Sequence, residues 1–488
     1  MPVNFIPSSA EILRMLPEII LSLAGTLIMV LTPLMKSGRA QRLGYVSFSA
    51  LAAAAAAALV ANTNPGEAFQ DMIWVDGFST FFRVLVITVG ALTVLSSFQY
   101  LRRERVEPGE FHALLLFSVA GQCVMVAANE LIVMFIGLEI SSISSYILAG
   151  YVRDDRRANE SALKYFLLGS FATAFLLYGV AWTYGLTGST NFGEIHSALA
   201  ALDSLRGEVL VAAAAALIFV GLAFKVSAWP FQIWAPDVYQ GAPAPVAGFL
   251  SAGPKAAAFA VLIRVFEGAL DPISIRWQPF IWASALLTMT IGNFAALSQS
   301  NIKRLLAYSS IAHAGYVLVA VTAHSELGIA AAMFYLASYA LMNIGAFAVV
   351  VHVSRQGERY VEVGDFAGLG ARHPATAALL AIFLLSLIGV PLTGGFFGKF
   401  YVFKAALDAN MVWLTVLGLL NSAVAAYYYL RILVVMYMHD AGDSMKDLSA
   451  PGTGLKVALW SSALGTLVLG IYPSVVLDFA SRSAALLR

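Results

Sequence analysis

Three lysines sit inside hydrophobic segments, each beside a proline or glycine: Lys225 in GLAFKVSAWPF, Lys255 in SAGPKAAAF and Lys399 in PLTGGFFGKF. The chain has only nine lysines in 488 residues. A charged side chain at the centre of a bilayer costs about 2.5–3.5 kcal/mol on insertion scales. Packing alone does not justify three such costs at helix interruptions. The arrangement points to a buried path for a cation, most simply a proton. Glu139 in GLEISSISSYILAGY and His313 in RLLAYSSIAHAGY add a carboxylate and an imidazole within apolar stretches, and Lys164 lies near the start of another. A Glu139–Lys225 pair next to Lys255 is expected to work as a switch, because opening it drives the lysine's proton onward. His313, of a residue type that titrates near neutrality, is suited to relay. Lys399, at the end of the row, passes the proton outward.

Composition fixes the environment that has to position these groups. The chain is 60% hydrophobic and 12% charged, about half the charge of a soluble domain. Apolar stretches of membrane-spanning length recur from end to end. The net charge of +1 implies no nucleic acid and no acidic partner. Cys123 is the only cysteine, which excludes a disulfide framework, a cysteine-ligated iron–sulfur cluster and a CxxC pair. The N-terminal MPVNFIPSSAEILRMLPEII lacks a basic n-region and a small-residue cleavage site, so it is expected to persist as the first span.

Hydropathy predicts an all-α polytopic membrane protein of fourteen spans, near 12–34, 43–61, 78–98, 111–128, 130–151, 160–186, 208–241, 245–267, 278–298, 302–322, 327–353, 375–408, 411–437 and 455–479. The segments 208–241 and 375–408 are too long for one straight crossing. Breakers lie mid-way, Pro230 and Pro236 in the first, and Pro391, Gly394 and Gly395 in the second. Both are read as discontinuous helices, which survive at membrane depth only where protein or water satisfies the freed backbone. Arginines and lysines follow spans 1 (Lys36, Arg39, Arg42), 3 (Arg102, Arg103, Arg105), 5 (Arg153, Arg156, Arg157), 9 (Lys303, Arg304) and 11 (Arg355, Arg359, Arg372). Odd spans are therefore expected to end in the cytoplasm, with both termini periplasmic. At 1.5 Å per residue, Glu139 and Lys255 then lie about 14–15 Å deep, with His313 near the midplane.

Glu139 and Lys225 are 86 residues apart, as are His313 and Lys399, and Ser141-Ser142-Ile143 has a counterpart in Ser309-Ser310-Ile311. An internal duplication gives this pattern, with a three-helix segment at 1–110, five-helix repeats at 111–267 and 278–437, and a last span within 438–488. Duplicated bundles with broken helices at mid-membrane sites recur among transporters. Other charges carry blander readings. Lys164 is shallow enough to snorkel to the surface, and Arg83, Arg264 and Arg431 read as structural partners. FFGKF at 396–400 lacks the glycine and Ser/Thr positions of a phosphate loop, so nucleotide binding is rejected.

The stretches GLAFKVSAWPFQIWAPDVYQGAPAPVAGFLSAGPKAAAF, GLEISSISSYILAGY, RLLAYSSIAHAGY and GVPLTGGFFGKFYVF resemble the antiporter-like proton-pumping subunits of respiratory complex I, the NADH:quinone oxidoreductase. The resemblance covers nearly the whole chain. It implies a fold of fourteen helices with two inverted five-helix repeats and two broken helices. It also implies proton-pathway roles for Glu139, Lys225, Lys255, Lys399 and Lys164, alongside His313. Implied partners are subunits M and K as neighbours, the other membrane subunits, membrane lipids, and a peripheral arm. FMN, iron–sulfur clusters and quinone are expected in those other subunits, with no cofactor or redox centre in this chain. The expected location is the bacterial inner membrane. A subunit of a multi-subunit cation/proton antiporter, or of a ferredoxin- or hydrogenase-linked complex, is the alternative, with a structural scaffold further behind.

Overall fold

The computed structural model describes residues 7–35, 42–201, 205–446 and 448–485. Both chain ends and the basic residues Lys36 and Arg39 lie outside the described residues. A short helix, α1 (Ser9–Arg14), precedes the first span and is capped by a reciprocal Ser8–Glu11 box. The spans follow as α2 (Leu16–Leu31), α3 (Leu43–Ala61), α4 (Gly77–Glu104), α5 (Pro108–Ala127), α6 (Leu131–Ala149) and α7 (Arg156–Thr187). A two-stranded hairpin, β1 (Gly66–Ala68) with β2 (Ile73–Val75), joins α3 to α4. After a small helix, α8 (Phe192–Ala200), come α9 (Leu205–Val226), α10 (Trp234–Gly241), α11 (Ala244–Ile263), α12 (Ser274–Leu297), α13 (Ile302–Thr322) and α14 (Glu326–Val353). The chain closes with α15 (Pro374–Ile388), α16 (Gly394–Asp408), α17 (Val412–Met438), α18 (Thr453–Ile471) and α19 (Ser474–Ala484).

Among the described residues, 13 helices are long and apolar enough to cross a membrane. The broken pair α15/α16 supplies a fourteenth crossing. Two ends differ from the sequence reading. The first span starts at Leu16, because Met15 separates it from α1. The last span stops at Ile471, and α19 is a separate helix after Pro473. The polar residues Asp478, Ser481 and Arg482 at its surface account for its not continuing the apolar span.

Both long segments are broken where expected. In the first, α9 ends at Val226, Ser227 takes a left-handed φ of 63°, and α10 resumes at Trp234. Pro230 lies in the break, whereas Pro236 sits in the first turn of α10, where a missing N–H costs nothing. In the second, Gly389 (φ 97°) and Leu392 (φ 71°) turn the chain between α15 and α16. Gly394 and Gly395 open α16 rather than forming the break. A Cβ on Gly395 would run into the Ser386 carbonyl oxygen, so the two half-helices approach closely only because this position is glycine.

The centre of the bundle is α11, all of whose residues are buried. α13 and α14 wrap it, and α4 and α5 cover its other side. One backbone motif occurs twice. Leu131 N–H donates to the Thr190 carbonyl (2.9 Å) and Phe192 N–H to the Asn129 carbonyl (3.0 Å). Ile302 N–H donates to the Val361 carbonyl (2.7 Å) and Val363 N–H to the Ser300 carbonyl (2.7 Å). Every residue of the second bridge lies 171 positions beyond its counterpart in the first. The helix pairs that flank these anchors also resemble each other. α5 crosses α6 at Gly121 and Gly137, and α12 crosses α13 at Gly292 and Gly315, each with backbone where a Cβ would stand.

The N-terminal helices are tied to the bundle by buried charge. Arg83 of α4 meets Glu18 of α2 at 2.7 Å, both nearly fully buried. Arg264, just past α11, clasps both oxygens of Asp76 at 3.0 and 2.9 Å. Arg431 of α17 donates to the Leu297 and Gln299 carbonyls at the end of α12. These three arginines thus take structural partners, in keeping with the sequence. Removing one member of a buried pair strands the other, at about 3–5 kcal/mol, whereas replacing both by apolar groups is near neutral. Arg83→Met should therefore lower the thermal midpoint of the purified assembly strongly, and Glu18→Leu/Arg83→Met should recover most of it. A double variant no better than Arg83→Met would show that the pair does not hold α2 to α4.

Candidate functional site

Lys225 is the penultimate residue of α9, at the lip of the first break. Its ammonium lies over the rings of Tyr146 (5.0 Å), Tyr165 (5.1 Å) and Phe224 (5.7 Å) and reaches the Tyr146 hydroxyl at 3.4 Å. Aromatic faces attract a cation most strongly in a desolvated site. The same aromatic block runs on. Tyr165 stacks on Trp234 at 4.5 Å with ring planes 6° apart, and Trp234 packs edge-on to Tyr239. The Trp234 indole N–H donates to the Phe224 carbonyl at 2.8 Å, beside the Ser227 N–H at 3.1 Å, so the ring also ties down the backbone at the break.

Lys255, on α11, lies over Tyr239 at 6.0 Å and donates to both the hydroxyl (2.5 Å) and the carbonyl (3.1 Å) of Ser310. One turn further along α13 is His313, on the same face. Its two ring nitrogens each meet a tyrosine hydroxyl, Nδ1 with Tyr335 at 2.6 Å and Nε2 with Tyr429 at 3.1 Å. Tyr429 also shares a hydrogen bond with Ser309. The His313 ring packs against Tyr316, and Tyr316 lies under the Lys399 ammonium at 5.0 Å. Asn293 links the Tyr316 hydroxyl (3.2 Å) to Tyr428 (3.0 Å).

Lys399 is on α16, just after the second break. Its ammonium donates to the Leu387 carbonyl (3.1 Å), the Ile388 carbonyl (2.8 Å) and the Ser422 hydroxyl (2.7 Å). The two carbonyls are the last of α15 and have no intrahelical partner. A cation at the C-terminal end of a helix is also favoured by its dipole. Lys399 thus has acceptors for all three of its N–H groups, Lys255 has two, and Lys225 has one long contact and three rings.

The structure brings Lys225, Lys255, His313 and Lys399 into one buried row. Two predicted residues lie apart from it. Glu139 forms no ion pair with Lys225 among the described residues. α6 turns it toward the outside of the chain, between the exposed Ile136, Ile140 and Ile143, and its Oε1 is buried without a partner. The two make no direct contact, but the Glu139 carboxylate is near enough to act on the Lys225 ammonium through space. Lys164 is half-exposed near the start of α7, where it pairs with Glu160 and Asp237, each at 2.7 Å. Asp237 also holds Arg304 at 2.6 Å, and Lys303 joins the Ala242 carbonyl (2.6 Å) to Glu358 (2.5 Å). This ion cluster fixes the outer end of the half-helix α10.

The reading from sequence missed Ser310, Ser422, Tyr316, Tyr335, Tyr429 and Trp234, which bridge the row. Their only signal was polar or aromatic character beside the lysine motifs, indistinguishable from ordinary core. The equal 86-residue spacing also misled in one respect. Lys225 precedes its break and Lys399 follows its own, so the two lysines do not occupy equivalent backbone positions.

Residues 128–425 match the family described as NADH:quinone oxidoreductase/Mrp antiporter, TM. The chain is 62% identical over 488 residues, the full length of both, to a protein of Solibacter usitatus named NADH-quinone oxidoreductase subunit N 1. It superposes with a TM-score of 0.80 and 33% identity on a chain of respiratory complex I from Thermus thermophilus, covering 95% of this chain and 99% of that one. A chain of an archaeal membrane-bound sulfane sulfur reductase, a respiratory membrane complex, gives a TM-score of 0.84 at 27% identity, covering 98% and 97%. With the family matched over more than half its residues and a relative matched end to end, this chain belongs to the NADH:quinone oxidoreductase/Mrp antiporter membrane family.

Proposed function

We propose that this chain is a proton-translocating membrane subunit of an NADH:quinone oxidoreductase, corresponding to subunit N. The observation that carries the reading is the buried row from Lys225 through Lys255 and His313 to Lys399. The rings of Tyr165, Trp234 and Tyr239 lie between Lys225 and Lys255, Ser310 and His313 share one face of α13, and Tyr316 lies between His313 and Lys399. His313 is the clearest relay. A neutral imidazole donates from one nitrogen and accepts at the other, so a proton taken from one tyrosine side can leave toward the other with a change of tautomer. Lys399 is the terminal store. Its acceptors belong to the end of a broken helix, so a shift of that break changes what the ammonium can bind. The subunit does not need a redox centre for this work. Quinone, FMN and iron–sulfur clusters are assigned to other subunits, and the sole cysteine, Cys123, is buried.

Glu139 marks the row's open side. A mid-membrane carboxylate with an unpartnered oxygen is costly against lipid. It is assigned to the contact with a neighbouring membrane subunit, M or K, whose polar group completes it. Lys164 is assigned to the ion cluster that steadies α10, upstream of the row. The two repeats, 111–267 and 278–437, are read as inverted copies, with 1–110 and 438–488 as added segments. The paired backbone bridges 171 residues apart support that division, since five crossings place them on opposite membrane faces. The location is the bacterial inner membrane. A cation/proton antiporter subunit remains the second reading, because the family includes both. It predicts the same lysines and no NADH-linked turnover.

Two measurements test the proposal. Lys225→Ala should sharply reduce proton pumping by vesicles in which native gels show normal assembly of the complex. Full pumping there would remove Lys225 from the pathway. A reporter active only in the periplasm should be active when fused after Arg488, because the basic loops follow odd spans. A reporter active only in the cytoplasm succeeding at that position would mean that one crossing is miscounted.

A further inference from the structure

The basic end of the bundle carries a pocket that the proton row does not use. It has a volume of about 440 Å³ and lies where α3 begins, α4 ends and α5 begins. Arg42, Arg102 and Arg105 line it, together with Tyr45, Phe98 and His112. None of the three arginines makes an ion pair or a side-chain hydrogen bond among the described residues. Their neighbours differ: Arg103 binds Glu104 and the Val351 carbonyl, and Arg153 binds Glu110. Arg105 is held in a left-handed turn, φ 57°, that ends α4.

The inner end of the pocket is also unsatisfied. His112 is 1% exposed, and its Nδ1 has no hydrogen-bond partner. The N-terminus of α5 opens at the same place, and its N-cap, Glu107, makes no side-chain cap. Phe98 and Leu101 give the pocket an apolar wall, and Tyr45 stands 66% exposed beside it. An exposed tyrosine at a helix end is typical of the headgroup level of a bilayer. Three guanidinium groups without an ion pair, set against the single carboxylate of Glu107 in the lining, an unpartnered imidazole nitrogen and an apolar wall at that depth share one chemical complement. We propose that this pocket binds the phosphodiester headgroup of an anionic glycerophospholipid, with its acyl chains along the Phe98 side. Guanidinium groups hold phosphate oxygens bidentately, and basic pockets between membrane helices on the cytoplasmic side suit such headgroups.

The test uses the purified complex and a photoreactive phosphatidylglycerol with its reactive group near the glycerol. Crosslinks are mapped by peptide mass spectrometry. The expected product lies within residues 98–112. Unlabelled dioleoyl phosphatidylglycerol should suppress it, whereas dioleoyl phosphatidylcholine and millimolar inorganic phosphate should not. Arg42→Gln/Arg102→Gln/Arg105→Gln should lower the yield by about tenfold or more, and the corresponding triple lysine variant should keep most of it. If the triple glutamine variant does not assemble, Arg102→Gln and Arg105→Gln alone should each weaken labelling. Equal competition by phosphatidylcholine would overturn the proposal. So would displacement by phosphate, which would assign the site to a free anion, or undiminished labelling in the glutamine variants.

Discussion

Every charge placed at membrane depth needs acceptors that lipid cannot provide, and this constraint shapes the rest of the structure. Lys399 meets it by taking the two carbonyls that the break after α15 releases. The break would be costly without the lysine, and the lysine would be costly without the break. The first break is solved differently. Lys225 faces aromatic rings, and the Phe224 carbonyl takes the Trp234 indole N–H as well as that of Ser227. Helix interruption and ionisable residue are therefore one feature in each half of the molecule, not two.

The constraint also accounts for the heavy packing at the centre. α11 carries Lys255 and is buried along its whole length. Its lysine relies on Ser310 of α13, and Asn343 of α14 hydrogen-bonds Ser251 of α11 at 2.5 Å. Glycines at the helix crossings let the surrounding helices pack closely about it. The ion cluster of Asp237, Lys164, Arg304, Lys303 and Glu358 then anchors α10 from the basic end.

Much of this was legible in the sequence because the signals were physical. A lysine in an apolar run next to proline or glycine is too costly to serve packing alone, so Lys225, Lys255 and Lys399 stood out. The two broken helices followed from length and breakers. Contacts between distant elements were not legible. Nothing local distinguishes Tyr429 from the lipid-facing Tyr427, or shows that α6 turns Glu139 outward. The duplication was inferred from an 86-residue spacing of charged residues. The backbone repeats instead with a 171-residue offset, which places Ser310 rather than His313 at the position of Glu139. His313 thus stands about one helical turn beyond the position that corresponds to Glu139.

If the row itself conducts, Lys255 is its mid-point, with no charged side chain paired to it among the described residues. The most direct measurement is the number of protons moved per NADH oxidised in proteoliposomes containing the Lys255→Met complex. Methionine keeps the length and apolar stem of the lysine and removes only the exchangeable charge. The account predicts a lowered ratio while quinone reduction continues. A ratio equal to that of the unaltered complex, at matched assembly, would contradict it.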